Sequence, residues 1–170
     1  MLFRSKPKEQ EWNQSDGPIL MLDTIQDPGN LGTIIRTADW FGFKHILCSP
    51  GTADCFNPKV IQSTMGSIFR VNIRYADLFK TIEEHPQIPV WITSLEGNDI
   101  RQLKPVDNVF LVVGNESKGV HPDIEKKADQ KVFIPGLGNA ESLNAAVAAG
   151  ILEKISDTGD KNYYKVKGDY

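Results

Sequence analysis

Cysteine is scarce in this chain: Cys48 and Cys55 are the two present among 170 residues, and they stand seven positions apart. They are too few for a disulfide framework, and with no export pattern beside them they read as free thiols. Histidine is nearly as sparse. His45 lies near the cysteines, but three possible ligands without paired spacing make a poor zinc site, so no metal is expected. Long apolar runs are missing too. VFLVV at 109–113 falls far short of a membrane span, and MLFRSKPKEQ at the start lacks the apolar stretch of a signal peptide. The expectation is a cytoplasmic protein without membrane association. Nor is there an excess of basic charge, since the formal net charge of −3 does not advertise a nucleic-acid partner. No internal repeat and no low-complexity tract is present.

What remains is ordinary globular composition, 40% hydrophobic and 24% charged, in a length that fits one domain with a workable core. The charge is uneven. From Arg36 to Arg74, five basic residues (Arg36, Lys44, Lys59, Arg70, Arg74) stand against Asp39 and Asp54, a local +3 inside a remainder of −6. Such a stretch can track phosphates that the average hides, or be a solvated face.

Short apolar runs alternate with helical patterns along the chain. ILML at 19–22, HILC at 45–48, RVNI at 70–73, PVWIT at 89–93, VFLVV at 109–113 and KVFI at 131–134 have strand length and composition. Leu31, Ile34, Ile35, Ala38 and Phe41 follow helical spacing, with Asn30 placed to cap the helix and Gly42 to end it. A second helix is expected from Asn57-Pro58, a cap followed by proline at the first helical position, to near Gly66. A last helix is expected from about Ser142 to Ile155, its stripe carried by Leu143, Ala146, Val147, Gly150, Ile151 and Ile155. This order predicts an α/β domain over 19–156, a mostly parallel sheet with helices on both faces. A polar segment, 1–18, precedes it and a polar tail, 157–170, follows.

Open parallel sheets place ligands beyond their strand ends, and three polar segments stand there. QDPGNLGTIIRTADWFG turns on Pro28, Gly29 and Gly32 into a helix that displays Asn30 and Arg36 toward one site. LVVGNESKGV ends a buried strand on Gly114 and then offers Glu116, more than folding alone asks of a strand end. IPGLGNAESLNAAVAAGI delivers Ser142 and Asn144 at a helix start. Each also has a plainer reading: Asn30 and Ser142 as helix caps, Arg36 as a surface ion-pair partner, Glu116 as a solvated loop residue. GLGNAE at 136–141 begins like a dinucleotide fingerprint but ends in glutamate and follows the last strand, so a Rossmann site is rejected.

In order and spacing, NLGTIIRTA, VVGNESKGV and IPGLGNAESLNAAVAAGI resemble the three motifs of the SpoU family of RNA ribose 2′-O-methyltransferases, within the SPOUT superfamily. The resemblance runs from about Leu22 to Ile155. It implies a six-stranded parallel sheet whose C-terminal part is threaded as a deep trefoil knot, a bound S-adenosylmethionine, and a homodimer. It implies that the cofactor lies on the loops at Thr93, Ser94 and Leu95, at Val113 and Gly114, and at Ile134, with Leu143 closing over the adenine. Asn30, Arg36, Glu116, Ser142 and Asn144 are then the polar catalytic set. Arg36 is the family's proposed general base, or, since a guanidinium is a reluctant base, a clamp for the substrate phosphate. Glu116 would hold Arg36 or Asn30 in place. Ser117 departs from the pattern where glycine is common, and Gly136 where methionine is frequent; neither removes a polar catalytic group. Lys59, Ser63 and Arg70 are further candidates for RNA contact.

Larger members carry an RNA-binding domain ahead of the catalytic one, so this chain is expected to be a catalytic fragment or a minimal member, with ribosomal RNA favoured over transfer RNA. Two rival readings are a non-catalytic RNA-binding module of the same fold and a hydrolase using Ser142. The first predicts loss of the polar set, which is present. The second needs a nucleophile elbow and a positioned histidine, yet AESLN has no GxSxG, and none of His45, His85 and His121 falls in the three motif segments.

Overall fold

Each of the six apolar runs becomes a strand: β1 (Ile19–Leu22), β2 (His45–Cys48), β3 (Asn72–Tyr75), β4 (Val90–Asp99), β5 (Phe110–Val113) and β6 (Gln130–Phe133). They form one sheet in the order β3-β2-β1-β5-β4-β6, with every pairing parallel. Among the described residues four α-helices connect them, α1 (Pro28–Trp40), α2 (Pro58–Thr64), α3 (Leu78–Glu84) and α4 (Pro122–Glu125), and α5 (Ala145–Ser156) follows the last strand. The computed structural model describes residues 17–104, 106–136 and 143–156. The knot expected of the C-terminal part depends on the path through 137–142, which lies outside the described residues.

The central strands β1 and β5 are apolar throughout because both faces are covered, and the period-two alternation of side chains sorts them into two cores. Leu20, Leu22, Leu111 and Val113 point to the face packed by Leu31, Ile34, Ile35 and Ala38 of α1, by Val60 of α2 and by Ala145, Ala149 and Leu152 of α5. Ile19, Met21, Phe110 and Val112 point the other way, against Leu78 and Ile82 of α3 and Ile124 of α4. Truncating one of the fully buried side chains, such as Leu111→Ala, costs about 2–5 kcal/mol by cavity formation.

Among the boundaries that differ from the sequence expectation, three have a clear local reason. Helix α1 is capped by Asp27, whose carboxylate accepts from the Asn30 N–H, while Pro28 takes the first turn. Asn30 is therefore inside the helix, with its side chain left for other partners. Strand β3 starts two residues later than RVNI because Ser67–Phe69 forms a 3-10 turn, in which the Arg70 and Val71 N–H groups bond the Ser67 carbonyl. The Arg70 guanidinium is tied to Asp39 of α1. Strand β4 runs past Thr93 to Asp99 because it leaves the ladder and returns: Thr93 and Asn98 both oppose Val132 of β6. The excursion passes close over β6, and a Cβ on Gly97 would lie 2.5 Å from the Lys131 carbonyl oxygen.

Strand order reverses between β1 and β5. The chain leaves β1 toward α1 on one face and leaves β5 toward α4 on the other, so the two connections part and open a crevice at the C-terminal ends of these strands. That is where doubly wound sheets bind ligands.

Candidate active site

The loops after β1 and β5 and the segment before α5 converge at this crevice through a chain of side-chain hydrogen bonds. Asn30 Nδ2 donates to Glu116 Oε1 at 2.7 Å, and Asn144 Nδ2 donates to Asn30 Oδ1 at 2.9 Å. Asn144 Oδ1 in turn accepts from the Ala146 N–H at 2.9 Å, as an N-cap of α5 does. A carboxylate only accepts, so Glu116 sets the direction of the whole relay: each amide must turn its NH2 toward it and its oxygen away. Residues 86 and 114 positions apart in sequence are joined in this way.

The local chain geometry supports the relay at both ends. Asn115, next to Glu116, closes a tight turn: its Oδ1 accepts from the N–H groups of Ser117 and Lys118, and its backbone pairs with Gly119 in both directions. Gly114 is required there, since a Cβ would stand 2.3 Å from backbone atoms of Gly119 and Val120. On α1, the Asp27 carboxyl is held below its ordinary value by the Asn30 N–H and, less strongly, by Lys59.

Arg36 does not join this relay. It lies six residues beyond Asn30, which on a helix is about 120° round the axis and about 9 Å along it. Asn30 and Thr37 face α5, where the Thr37 methyl packs on Gly150; Thr33, Arg36 and Trp40 are exposed on the outward face. Among the described residues Arg36 has no hydrogen-bond or ion-pair partner. Of the two partners expected for Glu116, Arg36 or Asn30, the structure shows Asn30, and helix periodicity turns Arg36 to a different face of α1 from Asn30. Two other basic residues of the same stretch are engaged internally, Lys59 with Asp27 at 3.7 Å and Arg70 with Asp39 at 2.6 Å. Ser142 lies outside the described residues.

The remaining expected positions lie along the neighbouring strand ends. Because β5, β4 and β6 are adjacent, Val113 and Gly114, Thr93 and Ser94, and Ile134 stand side by side at the C-terminal edge. Val113 and Gly114 are buried and Thr93 is half-buried, whereas Leu95 is 71% and Leu143 48% exposed. Apolar side chains standing in water above a row of backbone strand ends suit a flat, partly apolar ligand held by main-chain groups. A separate cleft of about 350 Å3, lined by residues including Asp23, Ser49, Asp77 and His121, opens by α3 and α4; none of the expected site residues lines it. Among the described residues no group of three or more histidine, cysteine or acidic side chains is placed to hold a metal, and no helix is long and apolar enough to cross a membrane. Cys48 and Cys55 are buried and form no disulfide among the described residues. Sequence reasoning missed Asn115 and Asp27; the Asp-Pro pair before Gly29 carries the same cap signal as Asn57-Pro58.

A parallel α/β domain whose three polar loops meet at the strand-order switch defines the class. The model of the SpoU rRNA Methylase family matches residues 17–153, and the chain belongs to that family. It is 40% identical over 137 residues to the 23S rRNA (guanosine(2553)-2'-O)-methyltransferase RlmP of Bacillus subtilis, a match covering 79% of this chain and 55% of that protein. The AdoMet-bound rRNA methyltransferase of Sinorhizobium meliloti superposes with a TM-score of 0.80 at 34% identity, over 90% of this chain and 60% of that one. The SpoU methyltransferase AviRb of Streptomyces viridochromogenes, in complex with AdoMet, superposes with a TM-score of 0.80 at 25% identity, over 95% and 64%. The chain thus spans between half and two thirds of these relatives.

Proposed function

We propose that residues 19–156 form a methyltransferase domain that moves a methyl group from S-adenosylmethionine to a ribose 2′-hydroxyl of RNA, in the cytoplasm. The observation that carries this reading is the Glu116–Asn30–Asn144 relay: it joins all three motif segments beside strand ends that suit a main-chain-held cofactor. Thr93, Ser94, Leu95, Val113, Gly114, Ile134 and Leu143 would hold the cofactor, and the exposed Leu95 and Leu143 fit its adenine. When bound, it supplies an electrophilic methyl group on a sulfonium. The chain's own residues then have to place and activate the hydroxyl oxygen. The relay fixes the loops relative to one another, and Arg36 offers a guanidinium with no carboxylate partner among the described residues. That freedom favours Arg36 as a clamp on the substrate phosphate that also stabilises charge growing on the 2′-oxygen, over a general-base role. Ribosomal RNA is favoured over transfer RNA because the Bacillus and Sinorhizobium relatives are named for rRNA.

The active unit is proposed to be a homodimer. Arg36 stands outward on α1, away from the relay, and the same side of the molecule exposes Trp40 at 71%, Phe69 at 84%, Met65 and Val147. Apolar surface of this kind marks an interface, and a second copy laid there covers it. Light scattering tests this; a mass at the 19.0 kDa of one chain contradicts it.

The test of the reaction is incubation of the chain with methyl-labelled cofactor and ribosomal RNA, followed by alkaline hydrolysis. A 2′-O-methyl group protects the next phosphodiester, so the expected label lies in alkali-resistant dinucleotides. Label in mononucleotides, or none, overturns the reading.

A further inference from the structure

Thr24, just after β1, has φ = +60°, one of two non-glycine residues at positive φ among the described residues. A branched Cβ makes that conformation costly, and it persists only where surrounding contacts impose it. Here they do. The Thr24 N–H donates to Ser49 Oγ at 2.8 Å, its hydroxyl donates to Asp23 Oδ1 at 3.0 Å, and its carbonyl accepts from Asn115 Nδ2 at 2.9 Å. Asp23 is 6% exposed, and its Oδ2 accepts from the His121 N–H at 2.7 Å. Thr24 therefore ties the loop after β2 (Ser49) to the start of the turn after β5 (Asn115), and Asp23, bonded to its hydroxyl, holds the end of that turn (His121).

Both ends of the Asn30–Glu116 hydrogen bond refer back to this point. Asn30 lies six residues downstream, and Glu116 is bonded to Asn115, whose amide divides its work: Nδ2 holds the Thr24 carbonyl and Oδ1 folds the turn that carries Glu116. With φ negative at Thr24, its carbonyl and hydroxyl would not both keep these directions. We propose that Thr24 is a positioning residue for the methyl-transfer site, its left-handed backbone setting the distance between the first and second polar loops. This rests on the reading of the domain as a methyltransferase.

Three substitutions separate positioning from mere stability. Thr24→Gly accepts positive φ without strain but has no hydroxyl to hold it there and is free to leave it, Thr24→Val keeps the branched shape without the donor, and Thr24→Ser keeps the hydroxyl. Misplacing a reacting group by about 1 Å can cost on the order of a hundredfold, so Thr24→Gly should lose about ten- to a hundredfold in single-turnover methyl transfer. Relief of the positive-φ strain offsets the donor lost to Asp23, so the variant's melting temperature should stay close to the parent's, and its cofactor Kd should stay within about twofold, below the tenfold step of 1.4 kcal/mol. Thr24→Ser should restore the rate. Thr24→Val should fall in rate and also in stability, because it leaves Asp23 short of a donor.

A second readout does not depend on turnover: hydrogen exchange of the Asn30 side-chain amide, followed by NMR in the parent chain and in Thr24→Gly. Faster exchange in the variant with the fold intact supports the proposal even if methyl transfer by the parent is absent, in which case it is the functional reading that fails. Unchanged exchange, or a methyl-transfer rate that follows the melting temperature across all three variants, overturns it.

Discussion

The C-terminal edge of the sheet is built in two different ways on either side of β5. Toward β1 and β2 it is a polar lattice: Asp23, Thr24, Asn30, Ser49, Asn115, Glu116 and Asn144 meet in side-chain hydrogen bonds. Toward β4 and β6 it is backbone and aliphatic surface, with an excursion in β4 at 94–97 and exposed leucines. A relay of amides and a carboxylate has one direction and one geometry, which suits groups that must be aimed. Main-chain strand ends recognise a ligand through groups every residue has. Under the proposed function, chemistry belongs to one half of the edge and cofactor retention to the other.

The largest effect should come from Arg36→Ala. If the guanidinium stabilises the developing oxyanion, methyl transfer to RNA falls by on the order of 10²–10³ or more in a single-turnover assay, and Arg36→Lys recovers little because the planar fork is lost. Gly114→Ala comes next and blurs the division, because Gly114 belongs to both halves. Its Cβ would meet the Gly119 backbone at 2.3 Å, so chemical denaturation should show a loss of about 1–3 kcal/mol, with cofactor binding and methyl transfer impaired together. Intact cofactor binding in that variant would mean that the two halves are less connected than described.

Asn144→Ala sharpens the comparison from the polar side. It removes the donor to Asn30 and the acceptor for the Ala146 N–H, so stability should drop by about 0.5–2 kcal/mol as for a lost cap, with methyl transfer reduced and cofactor affinity kept. The smallest effect is expected far from the edge, at Asp39. Its carboxyl is held below the usual range by the Arg70 guanidinium, with help from Ser67. A folded-state value below the unfolded one, about 3.9, means that the stabilisation is present above that unfolded value and is lost as pH falls through the folded one. The gap in melting temperature between the parent and Asp39→Asn should therefore be open at pH 7 and close below about pH 4.

The two halves were also unequally legible in the sequence. Asn30, Glu116 and Asn144 stand in polar motif segments downstream of apolar runs, and their motif order pointed to one site. Their mutual bonding spans 86 and 114 positions and leaves no periodic trace. The orientation of Arg36 was available from helix geometry alone, yet shared membership of a motif suggested a shared direction. Strand identity was clear because buried parallel strands are apolar on both faces. The extent of β4 was not, because its return to β6 depends on Gly97 lying against Lys131, a contact that no local pattern encodes. Thr24 was invisible for a related reason: threonine after a strand carries no mark of positive φ.

The measurement that bears most directly on this division is calorimetric titration of S-adenosylmethionine into the parent chain and into Arg36→Ala. The account predicts saturable binding to both, with dissociation constants equal within about twofold, far less than the tenfold that 1.4 kcal/mol represents. Loss of binding in Arg36→Ala with the fold intact, or no binding by the parent chain, would contradict it.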